Sequence, residues 1–398
     1  MACAVFPNNI LKITNAEQVC YMEINPDVII IGGGLAGLTS ALHLSKQGLK
    51  VTLIEKHEYP HHRVCGEYLS NEILPYLDWL KVDVNTLRAT HLEELQYTTQ
   101  HGQSDKIRLP LGGIGVSRYS LDELLYKKAK DNGCSIVIAT VTGISFSDDI
   151  FAVSFQGQKL SAKIVLGAYG KRSNIDQLLS RDFMKRPSIW MAVKAHYSGD
   201  FPDNLIALHN FEGGYCGISK VEDNKINVCY LADVKTFKKY KNIEAYQKYV
   251  ISKNRYLKCF FEKSTMLFDK PITISQFSFD KKYAVENHIL MVGDTAGLIH
   301  PFCGNGMAMA IHGAKLASEL ILDYCSRKIE SRQQLEVMYV TRWKQAFGRR
   351  LWFGRMLSSI LRYEFGAAIL MKIGVLFPKI LIWVIKQTHG NANTIKCL

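Results

Sequence analysis

Ten cysteines are scattered through 398 residues without one Cys-x-x-Cys pair and without a tight Cys/His cluster. Zinc ribbons and redox dithiols are therefore unsupported and no metal site is expected; free cysteines of this kind act as small apolar side chains in a reducing compartment. The first 21 residues lack the basic start and long apolar core of a secretory signal, and no stretch of 18 uncharged apolar residues occurs. Internal repeats and low-complexity linkers are also missing. These absences point to a cytoplasmic body, with residues 1–21 an extension ahead of it. Acidic residues are scarce at one end only. Residues 341–398 hold Glu364 against ten Lys/Arg, a charge of +9, whereas the first 340 residues hold 39 basic and 35 acidic groups, a charge of +4. An evenly basic nucleic-acid binder is thus excluded, and no nucleic-acid partner is expected. With 47% hydrophobic and 21% charged residues, the chain is globular in composition and long enough for two or three domains.

What is present begins at Asp27-Val-Ile-Ile-Ile31, a short β-branched run that meets Gly32-Gly-Gly-Leu35-Ala36-Gly37. A helical stripe of Leu38, Ala41, Leu42 and Leu44 follows, closed by Gly48, and Lys50–Glu55 reads as the next strand. Gly32, Gly34 and Gly37 fit G-x-G-x-x-G inside a βαβ unit: a tight turn, a close approach to a pyrophosphate, and close helix–strand packing. Glu55 ends the second strand, placed for a ribose diol, which favours FAD or NAD over a 2′-phosphorylated nucleotide. Residues 91–110 read as a strand pair turning at His101-Gly102, 119–131 as a helix, Ser135–Thr140 as a strand, and 141–168 as three β-like runs. Residues 181–280 alternate strands with one polar helical stretch near 235–252. A last strand, His288–Val292, leads to Gly293-Asp294 and a helix after Gly306. The order is β/α, then mostly β, then β/α again.

The second signature, Gly293-Asp294 with His300-Pro301-Phe-Cys-Gly304-Asn-Gly306-Met307, puts a carboxylate at a strand end and a glycine-flanked helix start behind it. Together with GGGLAG and Glu55, the run Arg63-Val-Cys65-Gly66-Glu67-Tyr68, and Arg118-Tyr-Ser-Leu-Asp122, it resembles the flavoprotein hydroxylase fold, within it the geranylgeranyl-reductase-like branch. The resemblance spans about residues 27–325. It implies a Rossmann-like FAD-binding domain (22–90, 112–180 and 281–335) interrupted by a mostly antiparallel β-sheet substrate domain (91–111 and 181–280); beyond it, charge and apolar pattern make 336–398 a basic amphipathic helical tail. It also implies that FAD is lined by Gly32, Gly34, Leu35, Ala36, Gly37, Glu55, Arg63, Cys65, Gly66, Tyr68, Arg118, Val141, Thr142, Asp294, Gly304, Gly306 and Met307. Cys65, placed beside the flavin ring, is the candidate catalytic residue, and NAD(P)H is the implied electron donor.

Two departures bear on the chemistry. The family's Asp-Gly pair after the strand 163–167 is replaced by Tyr169-Gly170, followed by Lys171 and Arg172, which could meet a phosphate. The aromatic Tyr-x-Trp-x-Phe-Pro run of prenyl reductases is replaced by Gly213-Gly-Tyr215-Cys-Gly217, and the halogenase Trp-x-Trp-x-Ile-Pro element is absent. Trp190, Tyr197, Phe211, Tyr215 and Tyr230 are candidate substrate walls, and His300 a candidate flavin neighbour. An apolar prenyl, polyene or aromatic substrate is expected, carried on a lipid or carrier. Three readings stay open: hydride transfer to a C=C bond, oxygen-dependent hydroxylation or epoxidation, and a flavin-free lipid-binding chaperone of the same fold. In the tail, 365–386 places Lys379 and Lys386 on one face of a helix started by Pro378, opposite an apolar surface containing Trp383. Such a helix suits a peripheral site on the inner membrane surface, or a cap on the substrate domain.

Overall fold

The computed structural model describes residues 26–186, 188–240, 242–275, 277–361, 364–390 and 395. The extension expected at residues 1–21 lies outside them. Val28–Ile31 (β1) is four buried β-branched residues in a row, which suits a strand covered on both faces. The glycine turn opens α1 (Leu35–Lys46), and β2 (Val51–Glu55) returns parallel to β1. The chain then makes β3 (Tyr68–Ser70), α2 (Leu74–Trp79), β4 (Thr90–Thr98) and β5 (Ser104–Gly115) before α3 (Arg118–Asp131) and β6 (Ser135–Ile138) bring it back beside β2. Ser117 starts α3 by accepting the Ser120 N–H. Between 141 and 168 the sequence suggests three runs, and four strands form. β7 (Val141–Ser147), β8 (Ile150–Phe155) and β9 (Gln158–Ala162) make a small antiparallel sheet, whereas β10 (Ile164–Gly167) pairs parallel with β1. The extra break falls at Lys163, where the chain steps from one sheet to the other.

After α4 (Asn174–Leu178) come β11 (Trp190–Ser198), β12 (Leu205–Phe211), β13 (Gly214–Lys220) and β14 (Ile226–Asp233). The helical stretch near 235–252 is two helices, α5 (Val234–Lys238) and α6 (Ile243–Tyr249), because Asp233 and Asn242 each cap a separate start. A third helix, α7 (Arg255–Lys263), is not anticipated from the strand-like run around it; Asn254 begins it by accepting from Tyr256 and Leu257 N–H. β15 (Thr265–Met266), β16 (Ile272–Ser275), β17 (Val285–Glu286) and β18 (Ile289–Met291) complete the strands.

The strands form a six-stranded sheet in the order β17-β18-β10-β1-β2-β6, parallel except for β17. Its order reverses at β1, with β2 on one side and β10 on the other, which opens a crevice at the carboxyl end of β1. A nine-stranded sheet runs β15-β11-β14-β13-β12-β4-β5-β3, with β16 also on β11, antiparallel except where β12 meets β4. Period-two patterning divides its faces. Along β11, Met191, Val193, Ala195 and Tyr197 face a core shared with Tyr246, Leu257 and Phe260, while Ala192, Lys194 and His196 alternate onto the other side.

The C-terminal region is helical: α8 (Gly306–Cys325), α9 (Arg332–Leu361), α10 (Glu364–Leu376) and α11 (Pro378–Thr388). The sequence reading treats 336–398 as one amphipathic tail, and the structure divides it. Leu335, Tyr339, Trp343, Phe347 and Leu351 recur every fourth residue along α9 and are buried in the core of the first sheet, where the Tyr339 hydroxyl donates to the Met291 carbonyl at 2.6 Å. Arg350 is buried too, paired with Glu72 at 3.0 Å. Pro378 begins α11 at its first turn, as its missing N–H favours. Trp383, however, is on the outer side of α11 and exposed, because Leu381, Ile382 and Ile385 supply the face that packs on β4 and β5. No helix among the described residues is long and apolar enough to cross a membrane. Since Trp343 fills the seam under α9, Trp343→Ala should lower unfolding free energy by about 3–5 kcal/mol in urea titrations. A loss below about 1 kcal/mol, the range of surface changes, would show that α9 docks only loosely.

Candidate active site

The glycine loop is built by close approach. Gly32 has φ +102°, and a Cβ there would lie 2.5 Å from the Ala168 carbonyl oxygen; a Cβ on Gly37 would lie 1.9 Å from the Gly32 oxygen. Gly34 differs, because a Cβ there would meet only the Arg118 guanidinium, at 3.4 Å, and would otherwise fill the adjoining cavity. Neither α1 nor α8 has a side-chain cap, so both begin with N–H groups left for a ligand at the crevice. A cavity of about 630 Å³ runs from this crevice across the nine-stranded sheet.

At the end of β2, Glu55 accepts from Gly33 N–H at 2.6 Å, from His57 N–H at 3.1 Å and from Arg63 at 3.2 Å. Burial pushes its carboxyl up, but Arg63 and the two backbone donors outweigh burial and hold it below the ordinary carboxylate range. Arg63 also meets Asp122 at 3.3 Å, and Asp122 receives both arms of Arg118 at 2.7 Å. This Glu55–Arg63–Asp122–Arg118 chain gives the cavity a charged end with rigid acceptors and donors.

Behind the Cys65-Gly66 turn lies a second charged group, absent from the sequence assignment. Glu67, fully buried and with φ +55°, accepts from Lys194, from His196 Nε2 at 2.7 Å and from the Arg118 backbone N–H at 2.8 Å. Burial raises its carboxyl, yet Lys194 and His196 prevail and hold it low. The turn is further tied by Asn227, which donates to the Cys65 carbonyl at 3.2 Å, and by the Glu67 N–H, which approaches Cys65 Sγ at 3.4 Å. The available signal was a Lys and a His at alternate positions of an otherwise apolar strand.

Gly32, Gly34, Leu35, Ala36, Glu55, Arg63, Cys65, Gly66, Tyr68, Arg118, Val141, Asp294, Gly304, Gly306 and Met307 all line the cavity, as do Tyr169, Lys171 and Arg172. Two predicted residues do not. Gly37 faces the Gly32 carbonyl, and Thr142 is exposed with its hydroxyl on the Ser154 carbonyl, because β7 turns it away; Ala139 and Thr140 line the wall instead. Of the five candidate wall aromatics, Tyr215 and Tyr230 border the cavity, but the Tyr230 ring stands 6.2 Å from Phe211 on the core face of its strand, so Tyr215 alone is the wall aromatic. Tyr197 and Phe211 alternate into the core under α6 and α7, and Trp190 packs with Phe277 and Phe279. His300 is withdrawn into an aromatic nest 4.7 Å from Phe279, where burial lowers its pKa to about 3. The far half of the cavity is apolar, with Ile206, Leu208, Ile274 and Leu298 in its walls.

A parallel sheet with a glycine-turn crevice at its switch point, joined to an antiparallel sheet that walls an apolar chamber, defines a dinucleotide-dependent oxidoreductase. The open side of Gly34 and the uncapped starts of α1 and α8 fit a pyrophosphate-bearing cofactor. The chain belongs to the FAD binding domain family, which matches residues 25–328. It is similar to conditioned medium factor receptor 1 of Dictyostelium discoideum, 24% identical over 378 residues, covering 85% of this chain and 71% of that one. It is also similar to digeranylgeranylglycerophospholipid reductase 1 of Methanothermobacter thermautotrophicus, 27% identical over 317 residues, covering 75% and 77%. Among solved structures a flavin-dependent brominase shares the fold, with a TM-score of 0.73, 18% identity, and 91% and 93% of the two chains covered. The chain is therefore an FAD-dependent oxidoreductase related to geranylgeranyl reductases and flavin halogenases.

Replacing one partner of the buried pair leaves the other charge without compensation. Lys194→Met should cost about 3 kcal/mol, and Glu67→Gln with Lys194→Met should recover part of that loss. The low Glu67 carboxyl stabilises the fold above its ordinary value of 4.5 and ceases to do so as pH falls through its folded value. The stability gap between wild type and Glu67→Gln, read by urea unfolding, should therefore be widest near neutral pH and close under acid. A gap that widens under acid would contradict the assignment.

Proposed function

We propose that this oxidoreductase transfers hydride to a carbon–carbon double bond of an apolar, lipid-like substrate, with NAD(P)H as electron donor, working from the cytoplasmic side at a membrane surface reached through 365–386. The observation that carries the reading is the cavity itself: a charged, glycine-lined end meets an apolar chamber at Cys65. Bound FAD supplies the hydride chemistry. The starts of α1 and α8 would stabilise negative charge on the cofactor, Glu55 would hold its ribose hydroxyls, and Asp294 would hold its ribityl chain. Apolar walls exclude water, which favours hydride transfer over loss to solvent. Saturation needs a proton on the second carbon, and the half-buried Cys65 thiol, on the cavity wall, is the donor in this reading. Lys171 and Arg172 offer charge for the phosphates of the nicotinamide donor, at the place where Tyr169 stands instead of the family's Asp.

Anaerobic single turnover with chemically reduced protein and a geranylgeranyl lipid tests the reaction. Saturated product without oxygen is expected; a strict oxygen requirement with peroxide release would replace this reading with hydroxylation. Asp294→Ala should leave purified protein with little flavin absorbance. Cys65→Ser should retain flavin but lower kcat about 100-fold, the usual scale for losing a general acid. An unchanged kcat would remove Cys65 from the chemistry.

A further inference from the structure

The apolar chamber does not end at the nine-stranded sheet. A second cavity, of about 290 Å³, lies beyond it and shares Tyr68, Leu109, Ile385 and His389 with the first as walls. The Tyr68 and His389 rings stand edge to face at 6.3 Å between the two, and Tyr68 is fixed there by its hydroxyl donating to the Gly112 carbonyl at 2.9 Å. His389 Nε2 is buried and has no hydrogen-bond partner among the described residues, a polar atom left over at the junction. On the outer side, the second cavity is bounded by Pro110, Leu111 and Lys386, all three exposed. It thus opens along the edge where α11 crosses β5.

The helix over this opening is held at its C-terminal end, and α10 before it is held where the Gly374 carbonyl accepts from the Tyr97 hydroxyl at 2.6 Å. Asn305, beside the cofactor-side start of α8, donates to the Thr388 carbonyl at 2.6 Å, and Gly390 N–H donates to Glu72, which Arg350 also holds. At the other end of α11, and on α10 before it, Ile373, Leu376, Phe377, Ile380 and Trp383 are exposed. Lys372, Lys379 and Lys386 are exposed on the same two helices, and no acidic residue occurs after Glu364. Apolar groups and cations together, with no acids, suit an anionic lipid surface rather than water or an acidic protein, whose contact would not use so many bare aliphatic side chains.

We propose that the gap between α11 and β5 is the entrance for the apolar chain of an anionic lipid presented by a bilayer, with Lys386 at the headgroup and Tyr68 and His389 as the inner constriction. The proposal rests on the oxidoreductase reading above and adds the route to its site: the chain enters tail first, with its negative head left outside at Lys386. An apolar chain leaving the bilayer at α10 and α11 would pass from one dry environment to another, without crossing water.

The test uses holoenzyme and Leu111→Trp/Lys386→Glu, whose positions lie outside the flavin end. The probe is cis-parinaric acid, an anionic eighteen-carbon polyene that fluoresces when its chain leaves water. Wild type should bind it saturably, and the double variant at least about tenfold more weakly, since each methylene kept from a dry wall weakens binding about fourfold. Flavin content and the rate of reduction by dithionite should be the same in both. Binding within twofold of wild type, or no binding by wild type, would overturn the entrance. For the source of the chain, wild type should pellet with phosphatidylcholine vesicles containing phosphatidylglycerol and not with phosphatidylcholine alone, and Ile380→Glu/Trp383→Glu should pellet with neither. Failure of wild type to pellet with the anionic vesicles would overturn the bilayer as source. A colourless preparation would instead overturn the oxidoreductase reading, and the polyene result would still decide the entrance.

Discussion

The structure depends on a buried carboxylate. Glu67 sits where the chain leaves the parallel sheet for the antiparallel one, and its oxygens are claimed from two directions: Lys194 and His196 on β11, and the backbone at the start of α3. Two ions removed from water cost more than their attraction readily returns, so a pair like this is weak evidence for stability. Its effect is better described as fixing a register. The same residue ends the Cys65-Gly66 turn, and α3 carries Arg118, whose side chain reaches Asp122 and, through Arg63, Glu55. One acceptor thereby ties the position of the Cys65-Gly66 turn to both the charged end of the cavity and the floor of its apolar half.

That dependence explains which parts were legible in the sequence. Val28–Ile31, the glycine spacing and Glu55 are local: their chemistry needs only a strand, a turn and a helix in succession, and each has a compositional mark. The Gly293-Asp294 and Gly306 segment is read the same way. Lys194 and His196 are different. Their meaning lies in a partner about 130 residues earlier, and period-two patterning says only that they share a face, not that the face is buried against a carboxylate. Thr142 failed for the opposite reason. Of Val141 and Thr142, the first lines the cavity, and because a strand begins there, alternation turns the second outward. Among the aromatics, residue type was no guide: Tyr215 and Phe211 lie in adjacent strands, and strand parity sends one to the cavity and the other to the core.

The basic C-terminal charge also changes character once it has positions. The formal excess treats Arg350 like the lysines, yet Arg350 is buried on Glu72 and belongs to the clamp on the end of α11. α9, which carries much of that charge, is core on one side through its fourfold stripe. Lys344 and Arg349 on the outer side of α9 stay exposed, and on the outer surface of α10 and α11 lysines stand among aliphatic and aromatic side chains.

These two regions are physically continuous. Glu72, which accepts from Arg350 and Gly390 at the end of α11, lies five residues beyond Glu67 and just after β3. Asn305, at the start of α8, holds Thr388 at the same place. Displacing α11 would therefore pull on the two segments that flank the glycine-lined end of the cavity. The clamps at Thr388 and Gly390 thus fix the end of α11 that borders β5, and the buried charges on both sides of the Cys65 turn hold that turn in register beside it.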